Sequence, residues 1–238
     1  AINAYTVEYE VDPNTYEIKD YAKFKVYKSD LISDVIRHGD KWEPFLHDVF
    51  EQYVTKDSIV VEAGCHIGTH TIKLAQLAKQ VIAFEPLESS FKLLDENLQL
   101  NNLNNVKTYM AGLSDGASLA AFSYVNKDNL GGAVLEDGFD IQLHSIDELQ
   151  AVGDDNYSRV DFIKLDVEGY EKKVIIGALN TIKQWHPVIT LECWDNYPNA
   201  TIEHAQEEFK VLLDMGYEIT QIEHHDFLFV YKGEKWLM

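Results

Sequence analysis

The sequence predicts an α/β fold, a doubly wound and mostly parallel sheet closed by an antiparallel carboxy-terminal hairpin. Three observations predict it. From Ser58 onward, short buried apolar runs alternate with segments of helical period. Each connecting helix is long enough to carry a crossover between parallel strands. The last two strand-like runs, YEITQIE and DFLFVYK, stand close enough in sequence to pair as a hairpin.

The elements follow in order. Residues 1–50 are the least regular part and read as an amino-terminal extension packed on the core, with 51–238 as the main domain. In the extension FKVYKSD alternates like a strand, and DLISDVIRHGDKWEPFLHDVFEQYV reads as helical pieces broken near Gly39 and Pro44. SIVVEAG is a strand stopping at an acid and a glycine. The helix after it places Ile67, Thr71, Leu74, Ala75 and Ala78 on one face. VIAFEP is the second core strand, stopped by Pro86, and Leu87, Phe91, Leu94 and Leu98 mark the next helix. NVKTYMAGLSD is a third strand running into a polar turn. AAFSYV and FDIQLHS are strands flanking the glycine-rich NLGGA, a hairpin-like insertion whose loop, Asn129 to Ala133, is expected to act as a flap over the site. Ser145 and Glu148 have the spacing of a capping box opening a short helix. DFIKLDVEG is the fourth core strand, followed by one helix with Val174, Ile175, Ala178, Leu179 and Ile182 inward. HPVITLEC is the fifth, and Ile202, Ala205, Phe209, Leu212 and Leu213 mark the last helix before the closing hairpin, which adds one reversed strand at an edge.

Composition narrows the function classes. The 238 residues suffice for one large α/β domain, and 46% hydrophobic with 25% charged residues is a globular balance. Forty acidic residues against 20 Lys and Arg leave a formal charge of -20, with no basic cluster to neutralise phosphates, so nucleic acid and anionic membranes are not expected partners. No apolar stretch approaches the roughly 18 residues of a membrane span, and no basic leader precedes an apolar run. Cys65 and Cys193 follow strands that a third strand separates, too far apart for a disulfide. Free thiols place the chain in a reducing, cytoplasmic setting, and neither cysteine has the sequence spacing of a zinc site.

Ligands of open α/β sheets bind beyond the carboxyl ends of the strands, where strand order reverses. Glu62, Glu85, Asp166 and Glu192 end or adjoin four core strands, and Asp115 follows the third. Like charges gathered on one rim repel, so their accumulation there marks a site. In the first turn, Glu62-Ala63-Gly64-Cys65-His66-Ile67-Gly68, Gly64 permits a tight turn and Gly68 lets the next helix pack closely. Cys65 and His66 occupy the region of the middle glycine of a dinucleotide fingerprint, which exists to let backbone approach a pyrophosphate. The loop therefore fits a cofactor without phosphate. Glu85, about twenty residues on, is placed to accept hydrogen bonds from ribose hydroxyls.

VVEAGCHIGTHTIKLA, VIAFEPLESSFKLLDENLQLN, AGLSD, IDEL and DFIKLDVEGYEKKVIIGA followed by HPVITLE resemble, in order and spacing, the FkbM family of methyltransferases. The resemblance runs from about Ser58 to Glu192. It implies a Rossmann-like seven-stranded class I methyltransferase fold and S-adenosylmethionine as cofactor. It further implies that Glu62, Gly64, Cys65, His66 and Gly68 hold the amino-acid part, Glu85 the ribose, and Ser114 and Asp115 the adenine, with Asp166 and Glu168 close to the methyl group and substrate. The family usually has Asp where this chain has Glu62, and Gly-Ala-Asn where it has Gly64-Cys65-His66.

Methyl transfer is an in-line displacement that needs alignment and removal of the acceptor's proton. The candidate bases are Asp166, Glu168 and Glu192. Asp166, Glu192, Asp195 and Asn196 also form an oxygen ligand set for Mg2+. Trp194 and Tyr197, with Trp42, offer a stacking surface for a sugar or aromatic ring, and His66 has either a structural or a catalytic role. The expected activity is O-methylation of a small-molecule or sugar hydroxyl, with an amine acceptor as the nearest variant. A nicotinamide-dependent oxidoreductase and a non-catalytic nucleotide-binding module are the alternatives.

Overall fold

The structure is a computed structural model that describes residues 9–126, 128–151, 158–193 and 200–233. The chain enters through a hairpin of β1 (Val11–Ile18) and β2 (Ala22–Tyr27), then α1 (Leu31–Arg37) and α2 (Pro44–Tyr53). Strand–helix alternation follows in β3 (Ile59–Ala63), α3 (Thr69–Leu77), β4 (Gln80–Phe84), α4 (Glu88–Leu100) and β5 (Val106–Tyr109). An insertion supplies β6 (Gly112–Leu113), β7 (Ser118–Asn126), β8 (Asn129–Asp137) and β9 (Ile141–His144), and α5 (Ile146–Ala151) leads back to the core. There β10 (Phe162–Leu165), α6 (Glu171–Ile176), α7 (Leu179–Trp185), β11 (Val188–Glu192), α8 (Ile202–Glu208), α9 (Lys210–Asp214), β12 (Tyr217–Gln221) and β13 (Asp226–Tyr231) complete the chain.

The main sheet has seven strands in the order β12-β13-β11-β10-β3-β4-β5. From β11 to β5 every pairing is parallel, and β13 runs antiparallel to both β11 and β12. The reversed strand is thus the inner member of the closing hairpin, and the edge itself is β12. Strand order reverses between β3 and β10, which places a crevice beyond their carboxyl ends.

Both faces of the sheet are covered, which is why its strands read as unbroken apolar runs. Alternate residues serve opposite faces: Ile59, Val61 and Ala63 join one core with Ile163, Leu165 and helices α6 to α9, whereas Val60, Val81 and Phe162 join the other with α3 and α4. The second core also holds Phe24, Val26, Tyr27, Ile36, Leu46 and Phe50, so the amino-terminal elements are packed into the sheet's own interior.

Four expectations are corrected. The third strand breaks after Tyr109. Gly112–Leu113 cross to a separate sheet of order β6-β9-β7-β8, where a Cβ on Gly112 would lie 2.6 Å from Leu143. NLGGA is the first half of β8 rather than a loop, and Gly131 lies close against Ile32 and His66, where a Cβ would stand 3.0 Å from Ile32 Cδ1. The helix after β10 divides at Gly177, whose missing Cβ would meet Ser114 O at 2.2 Å. The helix expected over 202–213 likewise divides at Phe209 into α8 and α9. The capping box forms as read: Glu148 N donates to Ser145 Oγ and Ser145 N to Glu148 Oε2.

Candidate active site

β3 delivers the first turn to the reversal point. Gly64 has φ +79, and a Cβ there would stand 1.7 Å from the carbonyl oxygen of Asp166, so bare backbone is what lets the ends of β3 and β10 touch. His66 also has positive φ, 48°, and its backbone N–H donates to Glu85 Oε2 at 2.7 Å, while Leu87 N donates to Oε1 at 2.8 Å. Glu85 therefore braces the loop and keeps lone pairs on both oxygens for further donors.

The His66 ring is held on every side. Nδ1 lies 3.1 Å from Ser90 Oγ, Nε2 3.3 Å from Asp30 Oδ2, and the ring stacks on Tyr27 at 5.9 Å. With both nitrogens engaged, the ring is a strut between loop and extension. Cys65 is buried, its Sγ 3.5 Å from Glu62 O, and burial pushes its thiol pKa well up. Glu62 is fully buried beneath the loop, 0% exposed. It faces Lys164 Nζ at 3.9 Å and contributes no surface to a ligand.

A cavity of about 350 Å³ opens above these ends, within the usual size of ligand sites. Gly64, Cys65, His66 and Glu85 line it from the cofactor side, and Asp166, Glu168, Glu192 and Asp226 from the opposite side. Trp42 and Glu43 of the extension and Gly131 and Gly132 of β8 complete its wall. Beside it lies a narrower apolar slot between Pro86, Leu113, Phe122, Leu130 and Leu135. Ser114 and Asp115, expected at the adenine, follow β6, which pairs with β9, and Ser114 N donates to His144 O; neither is among the residues lining this slot. Ser114 Oγ bonds Asp115 instead, and Gly112 and Leu113 take the slot-facing role. Gly68, φ +93, lies under the loop against Leu94 and starts α3.

The DVEG turn is strained, with Glu168 at φ 49 and Gly169 at φ 98. Glu171 secures it by accepting from Val167 N and Gly169 N, both at 2.9 Å. Asp166 Oδ2 lies 3.5 Å from the buried ammonium of Lys164, which stands directly opposite Glu62 in the sheet register. Burial works against the charge on Lys164, but Asp166, Glu62 and Glu43 outweigh it and hold the amine protonated. Asp226, paired with Glu192 in register, and Glu43, the residue before α2, bring two more acids. His70 Nε2 sits 2.9 Å from Glu43 Oε2, and burial keeps that imidazole neutral.

Acids outnumber their buried counter-charge on this rim. Burial, and then the charges of Asp166, Asp226, Glu43 and Glu168, push Glu192 up to about 11. Burial with Glu43 and Asp166 raises Asp226 to about 8, and burial with Asp166 and Glu171 raises Glu168 to about 8. Asp166 is raised by burial against the opposing pull of Lys164. Two overlapping groups, Glu43–Glu192–Asp226 and Asp166–Glu168–Glu192, each bring ligand oxygens within 4.8 Å of one another and could hold a cation. Asp195, Asn196, Trp194 and Tyr197 lie outside the described residues. Glu43, Asp226 and Lys164 were not anticipated. A lysine inside the apolar run DFIKLD was the one available signal, since nothing local places Glu43 or the start of β13 at this rim.

The residues present fit an adenosine-bearing sulfonium. They comprise a glycine turn of bare backbone, a carboxylate at ribose position, an apolar slot and an anionic wall short of positive charge. Sheet order and the reversal-point site together have the layout of the class I methyltransferase fold. The chain belongs to the FkbM methyltransferase family, whose domain model, Methyltransferase FkbM domain, matches residues 62–228. Methyltransferase 1 of Beauveria bassiana is 27% identical over 172 residues, covering 62% of this chain and 64% of that protein. The hexuronic acid methyltransferase AglP of Haloferax volcanii is 29% identical over 136 residues, 56% of this chain and 55% of that one. The chain thus spans under two thirds of each of these relatives. A crystal structure of an FkbM methyltransferase from Methylobacillus flagellatus KT superimposes with a TM-score of 0.51 at 16% identity, covering 78% of this chain and 50% of the other, a likeness of fold. No helix among the described residues is long and apolar enough to cross a membrane.

Proposed function

We propose that this chain methylates a hydroxyl oxygen of a small polar acceptor, a sugar or similar polyol, with Asp166 receiving the acceptor's proton. The observation that carries the reading is the Asp166–Lys164 pair at the reversal point, facing the loop braced by Glu85 across one cavity. The printed name of AglP, a methyltransferase of a sugar acid, supports an oxygen-rich acceptor. The formal charge of -20 speaks against nucleic acid, and two free cysteines support a reducing, cytoplasmic setting.

Glu85 would hold the ribose of S-adenosylmethionine, the Gly64–Cys65–His66 backbone its amino-acid part, and the slot at Leu113 and Phe122 its adenine. When bound, that cofactor supplies an electrophilic methyl on a cationic sulfur. The chain's own residues do the rest. Lys164 opposes the burial that raises the Asp166 pKa and so favours the carboxylate form that can take the acceptor's proton, a contribution on the order of a hundredfold or more. Glu168, Glu192 and Asp226 orient acceptor hydroxyls. Trp42 and β8 wall the cavity and limit water. The Mg2+ reading rests on Asp166, Glu168 and Glu192, which would hold the ion, and the ion would acidify a hydroxyl bound to it.

Calorimetric titration with S-adenosylhomocysteine, followed by labelled methyl transfer to a panel of sugars, polyols and amines, tests the proposal. Saturable cofactor binding with label on oxygen is the expected result. NAD(H) binding without S-adenosylhomocysteine binding overturns it, as does label confined to amines. Activity unchanged by EDTA removes the Mg2+ part alone.

A further inference from the structure

Outside the cavity, the end of β11 meets helix α8. Cys193 follows Glu192 directly and is buried, and its thiol donates to Glu208 Oε2 at 3.1 Å. One turn earlier on α8, His204 Nε2 lies 3.8 Å from the same carboxylate oxygen. The sulfur, the imidazole nitrogen and the carboxylate oxygen all lie within 4.8 Å of one another. The spacing His-x-x-x-Glu puts two of these groups on one helix face, and the fold brings the cysteine to them from a strand. No sequence spacing shows this trio, because the third member lies eleven residues before the helical pair in a different element.

We propose that Cys193, His204 and Glu208 form a binding site for a divalent transition-metal ion of the zinc class. With zinc bonds of about 2.3 Å to sulfur and 2.0–2.1 Å to nitrogen and oxygen, tetrahedral geometry sets ligand atoms about 3.3–3.6 Å apart. The sulfur–oxygen and nitrogen–oxygen separations, 3.1 and 3.8 Å, lie within about 0.5 Å of those values. A thiolate with an imidazole selects zinc, cobalt or copper over Mg2+, which prefers oxygen ligands and waters. This is a chemistry distinct from the all-carboxylate rim. On binding, the Sγ–H bond breaks heterolytically, its proton leaves to solvent, and sulfur donates its electron pair to the metal. Glu208 exchanges an accepted hydrogen bond for a metal bond. Three protein ligands leave a fourth position for water or another donor. The His204 and Glu208 side chains are partly exposed, 27% and 22%, whereas Cys193 is buried. Loading would fasten α8 to the strand end that carries Glu192. The site does not depend on the methyl-transfer reading.

The test uses the full chain stripped with a chelator and titrated with Co2+, whose bond to a thiolate gives a near-ultraviolet charge-transfer band that carboxylates cannot produce. One equivalent of Co2+ should give that band, and Zn2+ should displace it. Cys193→Ser should abolish the band, and His204→Ala, its folding checked by circular dichroism, should weaken Zn2+ affinity more than tenfold. Cys65→Ser should leave both unchanged. Metal uptake without the band places the ion at the carboxylate rim and overturns the proposal. So does a band that survives Cys193→Ser, or an affinity that His204→Ala leaves unaltered.

Discussion

Asp30 ties three separate segments together around the cavity, so replacing it tests how the wall is built. Its carboxylate caps α1 by accepting from Ser33 N at 3.0 Å and Ser33 Oγ at 2.9 Å. It also accepts from Leu130 N of β8 at 3.0 Å and lies 3.3 Å from His66 Nε2. Burial works against its charge, yet His66 and the backbone donors prevail and hold its carboxyl at about 2. Asp30→Ala removes the helix cap, costing about 1 kcal/mol. It also leaves the Leu130 N–H and the His66 ring without an acceptor, about 1–3 kcal/mol each. The total of roughly 3–7 kcal/mol is a large share of the ~5–15 kcal/mol that holds a domain folded. Asp30→Asn keeps a capping oxygen and should lose roughly 1–3 kcal/mol. Urea unfolding measures both. Because the His66 backbone N–H donates to Glu85, loosening the ring should also weaken S-adenosylhomocysteine about tenfold in Asp30→Asn, equivalent to about 1.4 kcal/mol. A loss under about 1 kcal/mol in Asp30→Ala, with cofactor affinity unaltered, would refute the coupling.

The acid rim predicts an unusual pH profile. Glu168 and Asp226 titrate near 8 and Glu192 near 11 in the folded chain, so the native state retains protons that the unfolded chain has released. Stability should fall as pH rises from about 5 towards 8, with Glu192→Gln flattening the slope and raising the urea midpoint at the alkaline end. A midpoint that climbs across this range contradicts it. Asp30 has the opposite sign: its contribution is complete above the unfolded pKa of 3.8 and is lost as pH falls towards 2. Glu85→Gln should weaken S-adenosylhomocysteine by roughly tenfold to a hundredfold, the loss of a charged acceptor, measured by calorimetry. A change within experimental error would remove Glu85 from the ribose. Gly64→Ala places a methyl group 1.7 Å from Asp166 O, so the variant should show no cofactor binding and a lowered melting temperature. Wild-type affinity in that variant would mean that β3 and β10 do not meet as described.

Much of this architecture was legible in residue order alone. Apolar runs of strand length, helical periods between them and the glycine turn after Glu62 specify which segments become strands and helices, because burial on both faces and local turn chemistry act over a few residues. The same logic placed Glu85 and Asp166 at strand ends. What lay beyond reach depends on contacts far apart in sequence. Glu43 reaches the rim because α2 docks onto α3, and Asp226 because β13 inserts beside β11. His66 becomes a strut because Asp30 and Ser90, distant along the chain, converge on its ring. That β6 leaves the main sheet to pair with β9, so that Gly112 and Leu113 line the slot, is likewise a long-range pairing. Cys193, His204 and Glu208 meet only where a strand end and a helix face cross. Local sequence determines the elements and which residues end them. The direction in which a side chain finally points, and the charge it carries there, are set by burial and by neighbours that only the packed fold assembles.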